Sequence, residues 1–302
     1  MSFSNDCKNE ILEADFSDRG IAEAFIYGLF TFASGVNTNE ILITSENIGL
    51  LEKIAFCLVS IGIPEQHIDI NLSSKMYSLV VTNQKSTIIL LDRFDLLLNS
   101  DGYELNDSIV YTDETVKAYI IGAFLGSGTV SSPAKGYHLQ FSTHNSDRAY
   151  ILFDILSDQG FQPKITKNGF NTIVYFKNSS QIEDLLTYMG AFNNSLSLME
   201  LKVYKDVKNN VTRRVNCESA NLQKTISSAA EDVALFQSFF NVGGEIKNEE
   251  LLRLAHLRID HPEYSFTELA ELMGNSITKS GINHRLRKLR ELMKEQLNND
   301  KN

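Results

Sequence analysis

Two stretches of this 302-residue chain decide its fold: AFIYGLFTFASG at residues 24–35 and AYIIGAFLGSGTV at residues 118–130. Each carries apolar residues at helical spacing and ends in a Ser-Gly pair. The two pairs, Ser34-Gly35 and Ser127-Gly128, lie 93 residues apart. Because the same helix is written twice at a fixed distance, the sequence predicts an internal repeat.

The residues after each helix continue the repeat in the same order. After the first helix we predict a strand, a helix, two strands and a closing helix, at 41–44, 46–61, 68–71, 76–82 and 86–97. After the second helix, which Asp113 can cap, the matching elements fall at 137–142, 147–157, 164–167, 172–176 and 181–188. The glycines that stop the two middle helices, Gly62 and Gly160, lie 98 residues apart.

This regularity predicts an α+β protein built on a duplicated α-β-α-β-β-α domain. Its two halves are expected at residues 1–108 and 109–204. Two unrelated α+β domains are the alternative. From about Tyr204 the pattern becomes wholly helical, so residues 205–302 are predicted to form a linker and an all-α domain. The first two helices of that domain are expected at 221–240 and 248–259.

The end of the chain carries the signals of a helix-turn-helix over about residues 265–297. Ser265 followed by Glu268 is a capping-box pattern, and it opens a short helix that ends at Gly274. After Asn275-Ser276-Ile277, Thr278 can cap a final helix. Helix, tight turn and helix is the order that DNA-reading motifs of this kind use.

The final helix is expected to present a basic face that carries an amide side chain. Its apolar residues, which are expected to form one buried stripe, are Ile282, Leu286, Leu289 and Leu292. The polar side chains between them must then face outward. Arg can form paired hydrogen bonds with guanine, Asn can do so with adenine, and Lys or Ser can hold phosphates. The residues predicted to contact DNA are Thr278, Lys279, Ser280, Asn283, His284, Arg285, Arg287 and Lys288. A solvated amphipathic helix is the alternative reading.

The segment before the helical domain, YKDVKNNVTRRVNCESANLQKT at residues 204–225, is a second basic stretch. It can act as a hinge that contacts phosphates, or it can be a polar linker with incidental charge. The candidate phosphate contacts are Lys205, Lys208, Arg213, Arg214 and Lys224.

Charge is distributed unevenly along the chain. Residues 1–110 hold 6 Lys and Arg against 16 Asp and Glu, whereas the whole chain has a net charge of −10, so the rest is neutral. An acidic surface repels phosphates, so the first half is not expected to bind DNA. We predict instead that this acidic half faces a protein partner.

Several classes of site are not expected from the sequence. The three cysteines have no disulfide or zinc spacing, and the chain has no glycine-rich phosphate loop, so no cofactor and no metal site is predicted. We also expect no leader in the first residues and no membrane span, because the start lacks a basic stretch followed by an apolar run and no apolar run is long enough to span a membrane. A cytoplasmic, nucleoid-associated protein is therefore expected.

The two repeated helices and the strand YHLQFST resemble the LAGLIDADG homing-endonuclease fold. Three further stretches, VNCESANLQKTISSAA, LAHLRIDHPEYSFTELAEL and ITKSGINHRLRKLREL, resemble the WhiA family, and the resemblance covers essentially the whole chain. It implies a bacterial DNA-binding regulator that joins a degenerate LAGLIDADG domain to a C-terminal helix-turn-helix. The implied roles are transcription control, cell division, chromosome segregation and, in spore-formers, sporulation.

The resemblance also implies where a nuclease of this fold would hold its metals. Active members have an acidic residue just before the final glycine of each paired helix, and these carboxylates bind divalent metals. The matching positions here are Ser34 and Ser127, neither of which is anionic, so we expect no cleavage and no enzyme activity. Gly122, and more loosely Gly28, are expected to let the paired helices approach closely.

Two other functions remain as alternatives. One is a protein-interaction scaffold in cell division without sequence-specific DNA binding, and the other is an active homing endonuclease. A dimer would suit a motif that reads two half-sites, but the sequence leaves the oligomeric state open.

Overall fold

The computed structural model describes residues 2–37, 40–73, 76–96, 103–274 and 277–299. The chain divides into two compact units, Met1–Tyr204 and Lys205–Asn302, which we call unit 1 and unit 2.

Unit 1 contains the predicted duplication, α-β-α-β-β-α written twice. The first half comprises α2 (Arg19–Phe32), β1 (Leu42–Ser45), α3 (Ile48–Ser60), β2 (Ile68–Ser73), β3 (Met76–Val81) and α4 (Gln84–Arg93), preceded by α1 (Phe3–Ile11). The second half comprises α5 (Asp113–Ser127), β4 (Gly128–Val130), β5 (Leu139–Thr143), α6 (Ser146–Asp158), β6 (Lys164–Asn168), β7 (Asn171–Phe176) and α7 (Ser179–Met189). Neither α1 nor β4 is predicted from the sequence pattern.

Each half forms its own antiparallel sheet. The strand order is β1-β3-β2 in the first half and β4-β5-β7-β6 in the second. The extra strand β4 pairs Gly128 with Phe141, whereas the described residues of the first half form an isolated bridge between Val36 and Ile41 at the corresponding place. The two sheets therefore repeat one topology with one strand of difference.

The helices α2 and α5 pack directly against each other in the middle of unit 1. A β-carbon on Gly28 would lie 2.1 Å from the carbonyl oxygen of Tyr119, and one on Gly122 would lie 2.1 Å from that of Phe25. No side chain fits at such distances, so glycine is required at both positions. The expected close approach of the paired helices is confirmed.

Both central helices begin at a side-chain cap. Asp18 accepts hydrogen bonds from the backbone N–H groups of Gly20 and Ile21 at the start of α2. At the start of α5 the cap is Thr112 in a capping box with Thr115, and not Asp113 as predicted. Asp113 lies inside the first turn, where its negative charge complements the positive helix end.

A cluster of hydroxyl groups lies in the core beside the α2–α5 contact. The Tyr103 hydroxyl donates to the Tyr27 hydroxyl at 2.8 Å and lies 3.1 Å from that of Thr31 and 3.5 Å from that of Tyr119. Burial raises the pKa of all three phenols. The cluster is therefore neutral and satisfies its own hydrogen bonds inside an apolar core.

The longest helix, α8 (Phe192–Asn241), begins in unit 1 and continues into unit 2. The expected linker at 204–225 and separate helix at 221–240 are therefore wrong, because both belong to this one helix. The stretch 192–241 contains neither Gly nor Pro, so nothing in its backbone interrupts the helix. Its polar composition alone suggested a linker.

Unit 2 continues with α9 (Glu249–Asp260), α10 (Phe266–Leu272) and α11 (Lys279–Asn299). Its core is formed by apolar side chains from four helices: Phe236, Phe239, Leu251, Leu254, Ala255, Leu269, Ala270, Ile282, Leu286, Leu289 and Met293. Met293 takes the place that the sequence analysis gave to Leu292, which is 38% exposed. The spacing 282, 286, 289, 293 follows one face of a straight helix more closely.

A buried ionic cluster joins three helices of unit 2. Asp232 of α8 is 2% exposed and accepts hydrogen bonds from Arg290 of α11, one of them from Nη2 at 2.9 Å. The Nε atom of Arg258, on α9, lies 3.8 Å from the same carboxylate. Arg258 also donates to the Tyr264 carbonyl at 2.8 Å, which ties the loop before α10 to the cluster.

Candidate nucleic-acid interface

The helices α10 and α11 each begin at a side-chain cap. The Ser265 hydroxyl accepts from the backbone N–H of Glu268, and the Glu268 carboxylate accepts from the backbone N–H of Ser265. At the start of α11, the Thr278 hydroxyl accepts from the backbone N–H of Gly281 at 3.2 Å. Residues 275 and 276, predicted as part of the turn, lie outside the described residues.

The helix α11 has one buried and one exposed face. Ile282, Leu286, Leu289 and Met293 are fully buried against α8, α9 and α10. The exposed residues at its start and on its outer face are Thr278, Lys279, Ser280, Asn283, His284, Arg287 and Lys288. These side chains include the donor types that reach base edges and phosphates in a major groove. Unit 2 thus presents a cationic helix face on a rigid apolar base.

Arg285 differs from its neighbours on α11. Its side chain is 29% exposed, and Nη2 forms an ion pair with Glu250 of α9 at 3.0 Å. A guanidinium that already has a carboxylate partner must lose that partner before it can bind a phosphate. Arg285 therefore stays a predicted contact, but the geometry favours Arg287 and Lys288 as the cations that face solvent.

The ionic cluster holds α11 in place beneath this surface. Burial lowers the pKa of Arg258, and the hydrogen bonds that Arg290 donates to the Asp232 carboxylate raise the pKa of Arg290. Arg290 is therefore firmly charged and bound to α8 at the middle of α11. Neither arginine was singled out by the sequence analysis, because a lone Arg on an amphipathic helix gives no signal of a buried partner elsewhere in the chain.

The second basic stretch lies on the part of α8 that is exposed on all sides. Arg214 forms an ion pair with Glu218 at 2.9 Å, whereas Lys208, Arg213 and Lys224 are exposed without a described ion pair. At 100° per residue, the five candidates Lys205, Lys208, Arg213, Arg214 and Lys224 are spread around the helix. The structure does not bring them together into one patch, so they stay a prediction.

The ends of α2 and α5 border a pocket of about 410 Å³ in unit 1. It is lined by Thr31, Phe32, Ala33, Ser34, Val36, Gly126, Ser127, Ser142, Thr143, His144, Asn145, Arg148 and Asn171. None of these is a carboxylate. Among the described residues, no group of three or more His, Cys, Asp or Glu side chains is arranged to hold a metal ion.

The contact between α2 and α5 shows which residues correspond to the metal-binding carboxylates of nucleases, and it replaces one of the two predicted positions. Phe25 faces Gly122 as Tyr119 faces Gly28, so equivalent residues of α2 and α5 are 94 positions apart. Ser127 is then equivalent to Ala33, and the predicted pairing of Ser127 with Ser34 is one residue out. The reason is that α5 continues one residue further than α2 before its cap, which shifts the Ser-Gly pair relative to the helix contact. Ala33, like Ser127, has no anionic group.

Among the described residues that line this pocket, Arg148 is the one Lys, Arg, Asp or Glu side chain. Its Nη1 donates to the Thr31 carbonyl in the last turn of α2 at 2.7 Å, and its guanidinium lies 5.3 Å from the centre of the Tyr103 ring. A cation at a helix C-terminus complements the negative end of the helix dipole. The second half thereby contacts the first through α6, a link that the sequence did not indicate.

Comparisons with known proteins agree with both units. The WhiA LAGLIDADG-like domain matches residues 116–208, and the WhiA C-terminal HTH domain matches residues 211–293. A probable cell division protein WhiA of Clostridium tetani is 34% identical over 98% of both chains, and that of Clostridium acetobutylicum is 33% identical over 98% of both. The chain belongs to the WhiA family.

A solved member of the WhiA family has the same fold. The crystal structure of full-length DUF199/WhiA from Thermatoga maritima matches with a TM-score of 0.60 and 18% identity, over 98% of this chain and 99% of that one. The resemblance to the WhiA family and the predicted fold, a duplicated LAGLIDADG-like domain followed by a helix-turn-helix domain, are thereby confirmed. No helix among the described residues of this WhiA-family chain is long and apolar enough to cross a membrane.

Proposed function

We propose that this WhiA-family chain is a DNA-binding regulator that works in cell division, and that its main DNA contact is the exposed face of α11. One observation carries the proposal: Asn283, Arg287 and Lys288 face solvent on a helix whose opposite side is fully buried. Such a helix is held rigidly enough to enter a groove and is exposed enough to contact base edges. Thr278, Lys279, Ser280 and His284 extend the same surface, and Lys208, Arg213 and Lys224 are further candidates for phosphates.

The proposed biological role follows the family. The relatives' names place them in cell division, and the helix-turn-helix supports a role at DNA. We infer that this chain controls transcription on the nucleoid in support of division and chromosome segregation, and of sporulation where the organism forms spores. A scaffold without DNA binding is the second candidate function, because an acidic first half suits a protein partner better than a phosphate backbone.

We do not expect nuclease activity from the pocket between α2 and α5. Ala33 and Ser127 replace the carboxylates that the nuclease mechanism requires, and the Arg148 guanidinium adds a positive charge beside them. A divalent metal would have no anionic ligand there and would meet a neighbouring cation.

The test is DNA binding by the purified full chain across a salt series, measured by fluorescence anisotropy on genomic and random fragments. Arg287→Ala with Lys288→Ala is expected to weaken binding. The log-log salt slope should fall by up to about 1.8, since each lost phosphate contact removes about 0.9. The matched control, Arg19→Ala with Lys247→Ala, removes the same charge from exposed positions outside α8 and α11 and should leave binding unchanged.

The outcomes separate the candidate functions. Equal binding by the two double variants would move the DNA contact away from α11, and no binding by the unaltered chain would favour the scaffold. The same samples, incubated with Mg²⁺ and then run on a denaturing gel, should show intact DNA. Metal-dependent breaks would contradict the non-enzymatic assignment.

A further inference from the structure

The internal repeat allows the two halves of unit 1 to be compared residue by residue. Equivalent residues of α2 and α5 are 94 positions apart, as their contact shows. Equivalent residues of α4 and α7 are 95 positions apart, since both the caps Asn83 and Asn178 and the positive-φ residues Asp95 and Gly190 keep that distance. A space that one half fills and the other leaves open can therefore be recognised.

In the first half, two aromatic rings pack between α2 and the end of α4. The rings of Tyr27 and Phe94 are stacked with their centres 5.3 Å apart, and both residues are fully buried. The Tyr27 hydroxyl accepts hydrogen bonds from the Tyr103 hydroxyl at 2.8 Å and from the backbone N–H of Asn106 at 3.1 Å. This half therefore fills the space with its own side chains.

The second half has smaller side chains at both equivalent positions. Ile121 of α5 stands where α2 has Tyr27, and Met189 of α7 stands where the first half has Phe94. Ile121 and Met189 line a pocket of about 510 Å³ within unit 1, and Phe192, which is 60% exposed, lines it as well. A pocket of this size with an apolar lining suits a small organic molecule.

The charged residues that line this pocket are four carboxylates and one ammonium group: Glu10, Glu13, Asp15, Glu114 and Lys117. Three of these groups already have a partner. Glu10 accepts from the backbone N–H groups of Asn193 and Asn194 at the start of α8. Asp15 accepts from the backbone N–H of Ser17 at 2.9 Å, and the Lys117 ammonium lies 5.8 Å from the centre of the Tyr188 ring.

Glu13 and Glu114 are the other two carboxylates of the pocket. Both are exposed, and neither carboxylate forms a hydrogen bond or an ion pair with a described residue. Carboxylates that are not yet paired attract a cation, and apolar side chains line the same pocket. The lining is therefore complementary to a molecule that carries positive charge on an apolar body.

We propose that this pocket binds a small organic cation with a flat apolar body, an aromatic amine being the simplest example. The apolar body takes the place that the rings of Tyr27 and Phe94 fill in the other half, and the exposed ring of Phe192 covers it. The ammonium group lies near Glu13 and Glu114. The proposal goes beyond the proposed function and does not rest on it, since α11 does not line the pocket.

Tryptamine is a suitable probe, because the chain contains no Trp. Its indole fluorescence, excited beyond the absorption of tyrosine, is therefore free of signal from the protein. The fluorescence anisotropy of tryptamine should rise as the full chain is added, and binding should weaken as salt is added. Indole-3-propionate has the same ring but a negative charge, and it should bind at least about tenfold more weakly. Spermidine, a cation without an apolar body, should compete poorly with tryptamine.

Two double variants test the carboxylates. Glu13→Gln with Glu114→Gln should weaken tryptamine binding at least about threefold, since it removes both unpaired charges. The matched control, Glu52→Gln with Glu65→Gln, removes the same charge from exposed positions of unit 1 that do not line the pocket, and it should bind normally. Circular dichroism establishes that both variants are folded.

The apolar part of the site is tested by Phe192→Ala, which removes an exposed ring and is expected to weaken tryptamine binding without affecting folding. Unchanged anisotropy with the unaltered chain in low salt would overturn the proposal. So would equal binding of tryptamine and indole-3-propionate. Equal weakening in the two double variants would also overturn it, because it would show a general attraction to an acidic chain and not a site.

Discussion

Unit 1 holds a half-buried cationic side chain and unit 2 a fully buried one, and the two are stabilised differently. Lys8 of α1 donates to the Leu125 carbonyl at 3.4 Å and lies 5.6 Å from the centre of the Phe124 ring, with no ion pair among the described residues. Burial lowers the pKa of Lys8 to about 8. In unit 2, Arg258 is only 1% exposed, and it lies against the carboxylate of Asp232, which also binds Arg290.

The two units also differ in how their helices are fixed against each other. In unit 1 the backbones of α2 and α5 touch at Gly28 and Gly122, and this close fit fixes the position of one helix against the other. In unit 2 the helices are shorter or exposed for much of their length, and a directed ionic cluster helps fix their relative positions. Burying such an ionic cluster costs desolvation free energy. Removing one partner is nevertheless strongly destabilising, because it leaves the other charge buried without a countercharge.

Removing the shared carboxylate should have the largest effect. Asp232→Ala leaves Arg258 buried without a countercharge, and we expect a loss of about 3–5 kcal/mol in the unfolding free energy of unit 2. DNA binding should fall with it, because α11 loses its attachment to α8. Urea denaturation followed by circular dichroism measures the loss, and the exposed neighbour substitution Glu231→Ala serves as control. Equal stability of the two variants would show that the cluster contributes nothing.

The close helix contact of unit 1 gives the next largest effect. Gly122→Ala places a β-carbon 2.1 Å from the Phe25 carbonyl oxygen, and separating the two helices should cost about 3 kcal/mol. Gly281→Ala, at a helical glycine of unit 2 whose nearest neighbour would be 3.3 Å away, should be neutral or slightly stabilising. Denaturation curves that rank the two variants in the opposite order would contradict the comparison.

Loss of the cap of α10 should have a smaller effect that is confined to unit 2. Ser265→Ala removes the hydroxyl that accepts from the Glu268 backbone N–H, at an expected cost of about 1 kcal/mol. Amide hydrogen exchange should quicken in residues 266–272 and stay unchanged in α2 and α5. Faster exchange in unit 1 as well would mean that the effect is not local.

The smallest expected effect is a gain. Lys8→Met removes a half-buried ammonium that has no ion pair among the described residues, so stability at pH 7 should rise by an amount on the order of 1 kcal/mol. Between pH 8 and 10.5 the unfolded wild-type chain binds more protons at Lys8 than the folded chain does, so the wild type gains stability as pH rises. The advantage of the variant over the wild type should therefore shrink at pH 9.5 in urea titrations. An advantage that is the same at both pH values would contradict the lowered pKa.

The sequence predicted most elements because their signals are local. The glycines and apolar residues of α2 and α5 recur at a fixed distance, and the caps at Ser265 and Thr278 lie within four residues of what they cap. The long α8 was misread because its polar residues resemble a linker, although it lacks Gly and Pro. The register between α2 and α5 was one residue out, because a Ser-Gly pair marks where a helix ends and not where two helices touch.

The repeated order of helices and strands, the helix-turn-helix pattern and the family can all be predicted from the sequence. These depend on periodicity, caps and turns, which act between residues close in the chain. The packed structure was needed to show that Ala33 is the equivalent of Ser127, that Arg148 contacts the end of α2, and that Arg285 already has a partner in Glu250. Each of these depends on a distance between residues far apart in sequence, and such distances exist only once the chain has packed.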